Sequence, residues 1–222
     1  MLITGDDAHH AARALRIRPG EEVTVSDGRG AVVRARVKDV SATAVVADVI
    51  ARTSVEQPFP HLTVFPAVPK AGKLETVVQK LTEVGVDQIR PWFASRSIAR
   101  WDAGKTDTRI RRLRSIAREA AMQSRRAWLP LIDDPARPED LPETTFVLDE
   151  SAATGLNASL PSVAPKRIGL VTGPEGGLDE DEVRHFVERG ARTVSLGDAI
   201  LRTETAAIVG AALVLARYER LG

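Results

Sequence analysis

The run Ile168-Gly-Leu-Val-Thr-Gly-Pro-Glu-Gly-Gly-Leu-Asp-Glu-Asp-Glu-Val-Arg-His-Phe-Val-Glu-Arg-Gly190 contains a strand, a turn and a helix in order. Residues 168–172 are apolar and β-prone, as an inner strand of a sheet must be. Asp179 and Glu182 have the spacing of a capping box, in which each side chain satisfies a backbone N–H of the other at a helix start. Val183, Phe186 and Val187 then share a helical face, and Gly190 suits the left-handed conformation at which helices end. Between strand and helix lie three glycines, Pro174 and one carboxylate, Glu175. Strands that lead into helices this way belong to parallel sheets, because a parallel neighbour is reached only by a crossover.

The same alternation extends outward. Residues 62–68 are apolar, and Leu74, Val77, Val78, Leu81 and Val84 recur at helical spacing up to Gly85. Residues 86–93, 145–149 and 193–196 read as further strands. Thr106 or Asp107 can cap a helix whose apolar face carries Ile110, Leu113, Ala117 and Ala120. A final helix starts near Thr203. Its apolar run, residues 206–216, is too short to span a bilayer and reads as a buried helix. The pattern predicts an α/β unit with a mostly parallel sheet covered on both faces.

The first 50 residues differ. Glu22-Val-Thr-Val-Ser26 alternates, Asp27-Gly-Arg-Gly30 is a turn signal, and residues 31–37 and 44–50 continue the β pattern. Short strands at this spacing suggest a small barrel. Residues 52–61 contain two prolines and little apolar periodicity, which marks a linker. The expected division is therefore residues 1–57 and residues 58–222.

Composition narrows the chemistry. The chain has no cysteine, so disulfides, thiolate nucleophiles and thiolate metal sites are excluded together. That suits a reducing cytosol, and the first ten residues lack the apolar segment of a signal peptide, so a cytoplasmic protein with no membrane partner is expected. The four histidines have no metal-binding spacing beyond the adjacent pair His9-His10, and no metal is expected. A net charge of +1 gives no whole-molecule field for nucleic acid, so any such affinity must come from local clusters.

Open parallel sheets bind ligands where loops leave the C-terminal ends of strands. Two such loops stand out: residues 172–178, and Leu196-Gly-Asp-Ala-Ile-Leu-Arg-Thr-Glu204. In the second, Ile200 and Leu201 are apolar where a connection should be polar, which suits contact with a ligand or with a crossing chain. Either loop alone is compatible with an ordinary β-to-α turn; together in one domain they favour a ligand site. Gly173-x-x-Gly176 lacks dinucleotide-site spacing, Gly72-Lys73 is followed by Leu74 rather than Ser or Thr, and neither a G-x-S-x-G elbow nor an H-E-x-x-H motif occurs. Arg111, Arg114, Arg118 and Arg125 project within one sector of their helix, with Arg112 and Arg126 further round. This stripe reads equally as a solvated face or as a set of phosphate contacts. The cluster His10, Arg13, Arg16 and Arg18 is similar.

Taken in order, these residues carry a resemblance. His9-His10-Ala-Ala-Arg13-Ala-Leu15-Arg16 with Pro19-Gly20, then Lys70-Ala-Gly72-Lys73 with Glu75, Lys80 and Thr82-Glu83-Val84-Gly85-Val86, then Pro91 and Ser95-Arg96-Ser97, follow one another along the chain. Glu119-Ala120, Gln123-Ser124, Arg126 and Pro130 follow, then Gly173-Pro-Glu-Gly-Gly177 and Leu196-Gly197 with Ile200-Leu-Arg-Thr-Glu-Thr-Ala206. Over nearly its whole length the chain resembles the RsmE family of 16S ribosomal RNA uridine-N3 methyltransferases, within the SPOUT superfamily. The resemblance implies a SPOUT-type parallel sheet with a C-terminal trefoil knot, plus a small N-terminal PUA-like β-barrel that binds RNA. It also implies a homodimer, S-adenosyl-L-methionine as cofactor, and 16S ribosomal RNA or the small ribosomal subunit as partner. One departure stands out: Asp198-Ala199 replaces the Pro-Arg that family members often carry before Ile-Leu-Arg.

The resemblance assigns the cofactor to Leu148, Thr172, Gly173, Pro174, Gly176, Leu196, Gly197, Ile200 and Leu201, the last two packing on adenine. It assigns RNA contact to His10, Arg13, Arg16, Lys73, Arg96, Arg114, Arg118 and Arg126. The uridine N3 is a poor nucleophile while protonated, so a base or a charge-stabilising donor is required. Arg202 is assigned to stabilise charge on the base carbonyls, and Glu204 or Glu175 to accept the proton; Glu204 reads equally as a favourable charge at the start of the last helix. Ribose 2′-O methylation and non-catalytic RNA binding are the competing readings.

Overall fold

The computed structural model of the chain describes residues 1–69, 73–97 and 101–222. Contacts separate residues 58–125 and 129–222 from a smaller unit made of residues 1–57 and 126–128.

The larger unit is built on six strands: β5 (His61–Pro66), β6 (Gln88–Ile89), β7 (Leu131–Ile132), β8 (Thr145–Leu148), β9 (Arg167–Thr172) and β10 (Arg192–Val194). Their order is β10-β8-β9-β5-β6-β7, and every neighbouring pair is parallel. The helices are α2 (Lys73–Val84), α3 (Ala103–Gln123), α4 (Leu156–Ser159), α5 (Glu180–Glu188) and α6 (Thr203–Arg217). Successive residues of a strand face opposite sides, so a doubly covered strand must be apolar throughout. β5 shows this: Leu62 and Val64 join the core with α2, α3 and α6, whereas Phe65 joins the core with Trp92 and Phe186 of α5. The mostly parallel, doubly covered sheet predicted from the sequence is thus the observed one.

Local chemistry sets the ends of the helices. Both bonds of the Asp179–Glu182 capping box are present at α5, at 2.7 and 3.1 Å. Gly85 follows α2 at φ +111°. The helix predicted to be capped by Thr106 or Asp107 starts earlier: the Asp102 carboxylate accepts the Lys105 N–H at 2.9 Å, which places Thr106 inside the first turn. α6 is not uniformly buried. Ala207, Gly210, Ala211, Val214 and Leu215 are buried, while Ile208, Val209 and Ala212 are half-buried.

β9 has no room for a side chain at Gly169, where a Cβ would lie 2.5 Å from Thr145 Oγ1. That hydroxyl is held in place by donating to the Pro142 carbonyl at 2.6 Å. Gly169→Ala is expected to cost about 1–3 kcal/mol by overpacking, read as a lower urea midpoint at unchanged slope.

The smaller unit holds β1 (Leu2–Thr4), α1 (Gly5–Arg13), β2 (Glu22–Ser26), β3 (Ala31–Val40) and β4 (Ala44–Ser54). Its strands form an antiparallel sheet in the order β1-β4-β3-β2. Ala8 and Ala11 of α1 are buried with Val37 and Val45. β4 runs four residues past its predicted end, because residues 51–54 pair with residues 31–34 of β3. The stretch predicted as a linker is correspondingly shorter. The returning segment 126–128 joins this unit: the Trp128 indole N–H donates to the Val55 carbonyl at 2.9 Å, and the Gly30 N–H to the Ala127 carbonyl at 3.0 Å. Gly30 must be glycine here, since a Cβ would lie 2.6 Å from the Val55 oxygen.

Candidate functional site

The order β10-β8-β9 sets three parallel strands side by side, so the loops leaving their C-terminal ends meet. They enclose a cavity of about 400 Å³ within the larger unit. The β8 loop contributes Leu148, Asp149 and Glu150, and the β9 loop contributes residues 172–178. The β10 loop contributes Leu196, Gly197, Ala199, Ile200 and Leu201, and α6 adds Thr203 and Ala206. Arg96 completes the lining.

The glycine loop is braced from outside. Arg96 Nη1 donates to the Gly176 carbonyl at 2.8 Å. Ser95 donates its N–H to Glu182 Oε1 at 2.6 Å and its hydroxyl to Asp179, tying this segment to the start of α5. The Ser95 hydroxyl, then the Glu182 N–H, hold the Asp179 carboxyl below the ordinary aspartate range. Gly177 has φ +70°, a conformation that side chains disfavour. A Cβ on Gly173 would press on Leu178 at 3.1 Å.

One lysine joins two of the surrounding carboxylates. Lys73 Nζ lies 3.3 Å from Glu175 Oε1 and 3.5 Å from Glu204 Oε2, linking the glycine loop to the first turn of α6. Among the described residues the buried hydroxyl of Thr172 finds no hydrogen-bond partner, although it lines the cavity. Buried polar atoms rarely stay unpaired, so this hydroxyl is suited to a ligand. Among the described residues, no group of His, Cys, Asp and Glu could hold a metal ion, and no helix is long and apolar enough to cross a membrane.

All nine residues assigned to the cofactor, Leu148, Thr172, Gly173, Pro174, Gly176, Leu196, Gly197, Ile200 and Leu201, line this one cavity. Ile200 is 78% exposed, so the apolar residue read as facing a ligand or a crossing chain is open in the single chain. Of the residues assigned to catalysis, Glu175 lines the cavity, Glu204 stands behind it through Lys73, and Arg202 is the exposed N-cap of α6. The residues assigned to RNA are dispersed. His10, Arg13, Arg16 and Arg126 belong to the smaller unit. Lys73 is engaged by two carboxylates, Arg96 lines the cavity, and Arg114 Nε donates to the Ile132 carbonyl at 2.9 Å. Arg118 is exposed on α3. Lys70 and Gly72 lie outside the described residues. Asp149 and Glu150 were not singled out from the sequence. The available signal was their place at the end of a predicted strand, since they have no motif spacing.

The RNA methyltransferase domain family matches residues 55–215, and the RNA methyltransferase PUA domain family matches residues 3–50. A ribosomal RNA small subunit methyltransferase E from Mycobacterium tuberculosis is 37% identical, over 94% of this chain and 83% of the relative. The protein of that name from Bacillus subtilis is 32% identical, over 99% of this chain and 91% of the relative. The structure of a ribosomal RNA small subunit methyltransferase E from Neisseria gonorrhoeae bound to S-adenosyl methionine superposes with a TM-score of 0.85 at 26% identity, covering 97% of this chain and 92% of that one.

Proposed function

This chain belongs to the ribosomal RNA small subunit methyltransferase E family, and we propose that it transfers a methyl group from S-adenosylmethionine to N3 of a uridine in 16S ribosomal RNA. The observation that carries the reading is the meeting of the β8, β9 and β10 loops around a cavity of about 400 Å³. Small-molecule sites commonly measure about 300–1,000 Å³. The lining suits the donor: Leu148, Leu196, Ile200 and Leu201 offer apolar contact, the glycine loops offer backbone groups, and Thr172 offers an unpaired hydroxyl.

When bound, the donor supplies a methyl group already made electrophilic by its sulfonium. The chain therefore acts by alignment and by handling one proton. Glu175 is assigned to accept the N3 proton, because its carboxylate lines the cavity whereas Glu204 does not. Lys73 holds Glu175 against Glu204 and so fixes its position. Arg202 stabilises the charge that develops on the uracil carbonyls. Glu175→Gln is expected to lower kcat by about 10²–10⁴-fold with little change in donor affinity.

In the same reading, the larger unit is a SPOUT domain whose β9 and β10 loops cross as a trefoil knot. The smaller unit is a PUA-like barrel that presents His10, Arg13 and Arg16 to RNA phosphates, with Arg114, Arg118 and Arg126 as further contacts. Two copies associate through α6, as its half-buried Ile208, Val209 and Ala212 and the exposed Ile200 favour. The protein works in the cytoplasm on ribosomal RNA of the small subunit.

The decisive experiment uses small subunits from a strain lacking this protein, incubated with the purified protein and methyl-labelled donor, then digested to nucleosides. Label in 3-methyluridine is expected. Label in a 2′-O-methyl nucleoside, or no incorporation, would refute the proposal.

A further inference from the structure

The geometry points to Arg96 as the residue that recognises the amino-acid end of the methyl donor, by pairing with its α-carboxylate. The assignment rests on the donor reading above. It begins with a charge imbalance: the described lining residues include three carboxylates, Asp149, Glu150 and Glu175, and a single cation, Arg96. S-adenosylmethionine carries two positive centres, its sulfonium and its ammonium, and one negative group, its carboxylate. Lys73 already pairs with Glu175, so Asp149 and Glu150 suit the positive centres, and among the described lining residues only Arg96 can balance the carboxylate.

Arg96 is also prepared for the task. A guanidinium has five N–H donors in a fixed fork. One of its nitrogens, Nη1, donates to the Gly176 carbonyl, and this directs the group along the glycine loop. Cβ atoms built on Gly176 and Gly177 would lie 3.5 and 3.9 Å from the Arg96 side chain, so the loop and the arginine are in direct apposition. The preceding residue, Ser95, is held at both its N–H and its hydroxyl by the start of α5. A side chain restrained at its base and at one nitrogen loses little freedom on binding. An RNA-phosphate role, the one expected from the sequence, does not use this alignment along the glycine loop.

Two ligands that differ by the amino-acid moiety separate the roles. S-adenosylhomocysteine contains it, and 5′-methylthioadenosine has the same nucleoside and thioether without it. Both are titrated calorimetrically into the full-length protein and its Arg96→Ala and Arg96→Lys variants. Arg96→Ala is expected to weaken S-adenosylhomocysteine by about 10- to 100-fold, the loss typical of a charged hydrogen bond. Binding of 5′-methylthioadenosine should be unchanged, and Arg96→Lys should recover part of the loss because it keeps the charge without the fork. Equal weakening of both ligands would reduce Arg96 to a brace for the glycine loop and overturn the assignment. Unchanged binding of both, with a raised KM for RNA, would return Arg96 to the nucleic acid and also overturn it. If the unaltered protein binds neither ligand, the donor reading itself fails, a result distinct from either of these.

Discussion

Replacing Asp87 with alanine should destabilise the larger unit by about 3–5 kcal/mol, a large share of the stability of an ordinary domain. Asp87 and Arg220 form a two-pronged ion pair at 2.7 and 2.9 Å, with side chains only 6% and 9% exposed. Asp87 also accepts the Leu62 N–H at 2.8 Å, and Arg220 also donates to the carbonyls of Pro60 and Gly85. The cluster thus fastens the segment after α6 to the start of β5 and to the turn after α2. Loss of Asp87 strands a guanidinium in a nearly dry site, and that uncompensated charge, more than the lost attraction, makes the cost large. Urea unfolding followed by tryptophan fluorescence measures it; a loss below about 1 kcal/mol, as for an exposed pair, would show that the cluster is solvated.

The same cluster gives the stability a sign in pH. His61 borders it, with Nδ1 buried and unpaired. Burial lowers the imidazole pKa most; Asp87 opposes this, while Arg167 and Arg220 add to it. The unfolded chain therefore binds a proton at His61 more readily than the folded one. Stability should fall as pH drops below the unfolded value of about 6.5 and level off below the folded value. Without Asp87 the opposing attraction is gone, so the variant should be the more acid-sensitive of the two. The depressed carboxyls of Asp140 and Asp179 act at lower pH, where the stability they contribute is lost as they protonate.

The parts of this fold that could be read from residues alone are those decided by local chemistry. The capping box of α5, the glycine after α2 and the apolar β9 each have one cheap conformation, and tertiary contacts do not reverse it. The cavity was legible for a related reason: parallel strands send their C-terminal loops to the same edge, so two glycine-bearing loops were bound to be near each other if β8, β9 and β10 were neighbours. What escaped was decided at long range. α1 is the exception: Asp6 and Asp7 in its first turn and His10 and Arg13 in its last favour a helix, but it is only nine residues long, Thr4 makes no capping bond, and the buried face is just Ala8 and Ala11. The last four residues of β4 are strand because β3 is there to pair with them. Residues 126–128 join the smaller unit through Val55 and Gly30, some 70 to 100 positions away in sequence. The arginine stripe of α3 shows the same limit. Helical spacing puts Arg114 in the sector, but the Ile132 carbonyl that engages it belongs to a two-residue strand with no pattern of its own.

Arg202→Ala should leave the fold at least as stable and remove nearly all methyl transfer. Arg202 is the N-cap of α6, it is exposed, and its side chain makes no capping bond. A cation at a helix N-terminus opposes the helix dipole, at a cost of about 0.3–1 kcal/mol. Serine, threonine, aspartate or asparagine would stabilise the same position. Glu204, in the first turn, offsets the charge only in part, because Lys73 also draws on it. Helix stability therefore does not account for an arginine at this position. Its neighbours Ile200 and Leu201 line the cavity, so Arg202 stands at the cavity's edge, beside the uracil in the proposed reading. If it stabilises charge on the carbonyls, kcat should fall by about 10²–10³-fold. Donor affinity should hold, and the melting temperature should stay level or rise. Stability and activity would then move in opposite directions, which a structural arginine cannot produce. An undiminished kcat on small subunits, or a melting temperature that drops with it, would remove Arg202 from the chemistry.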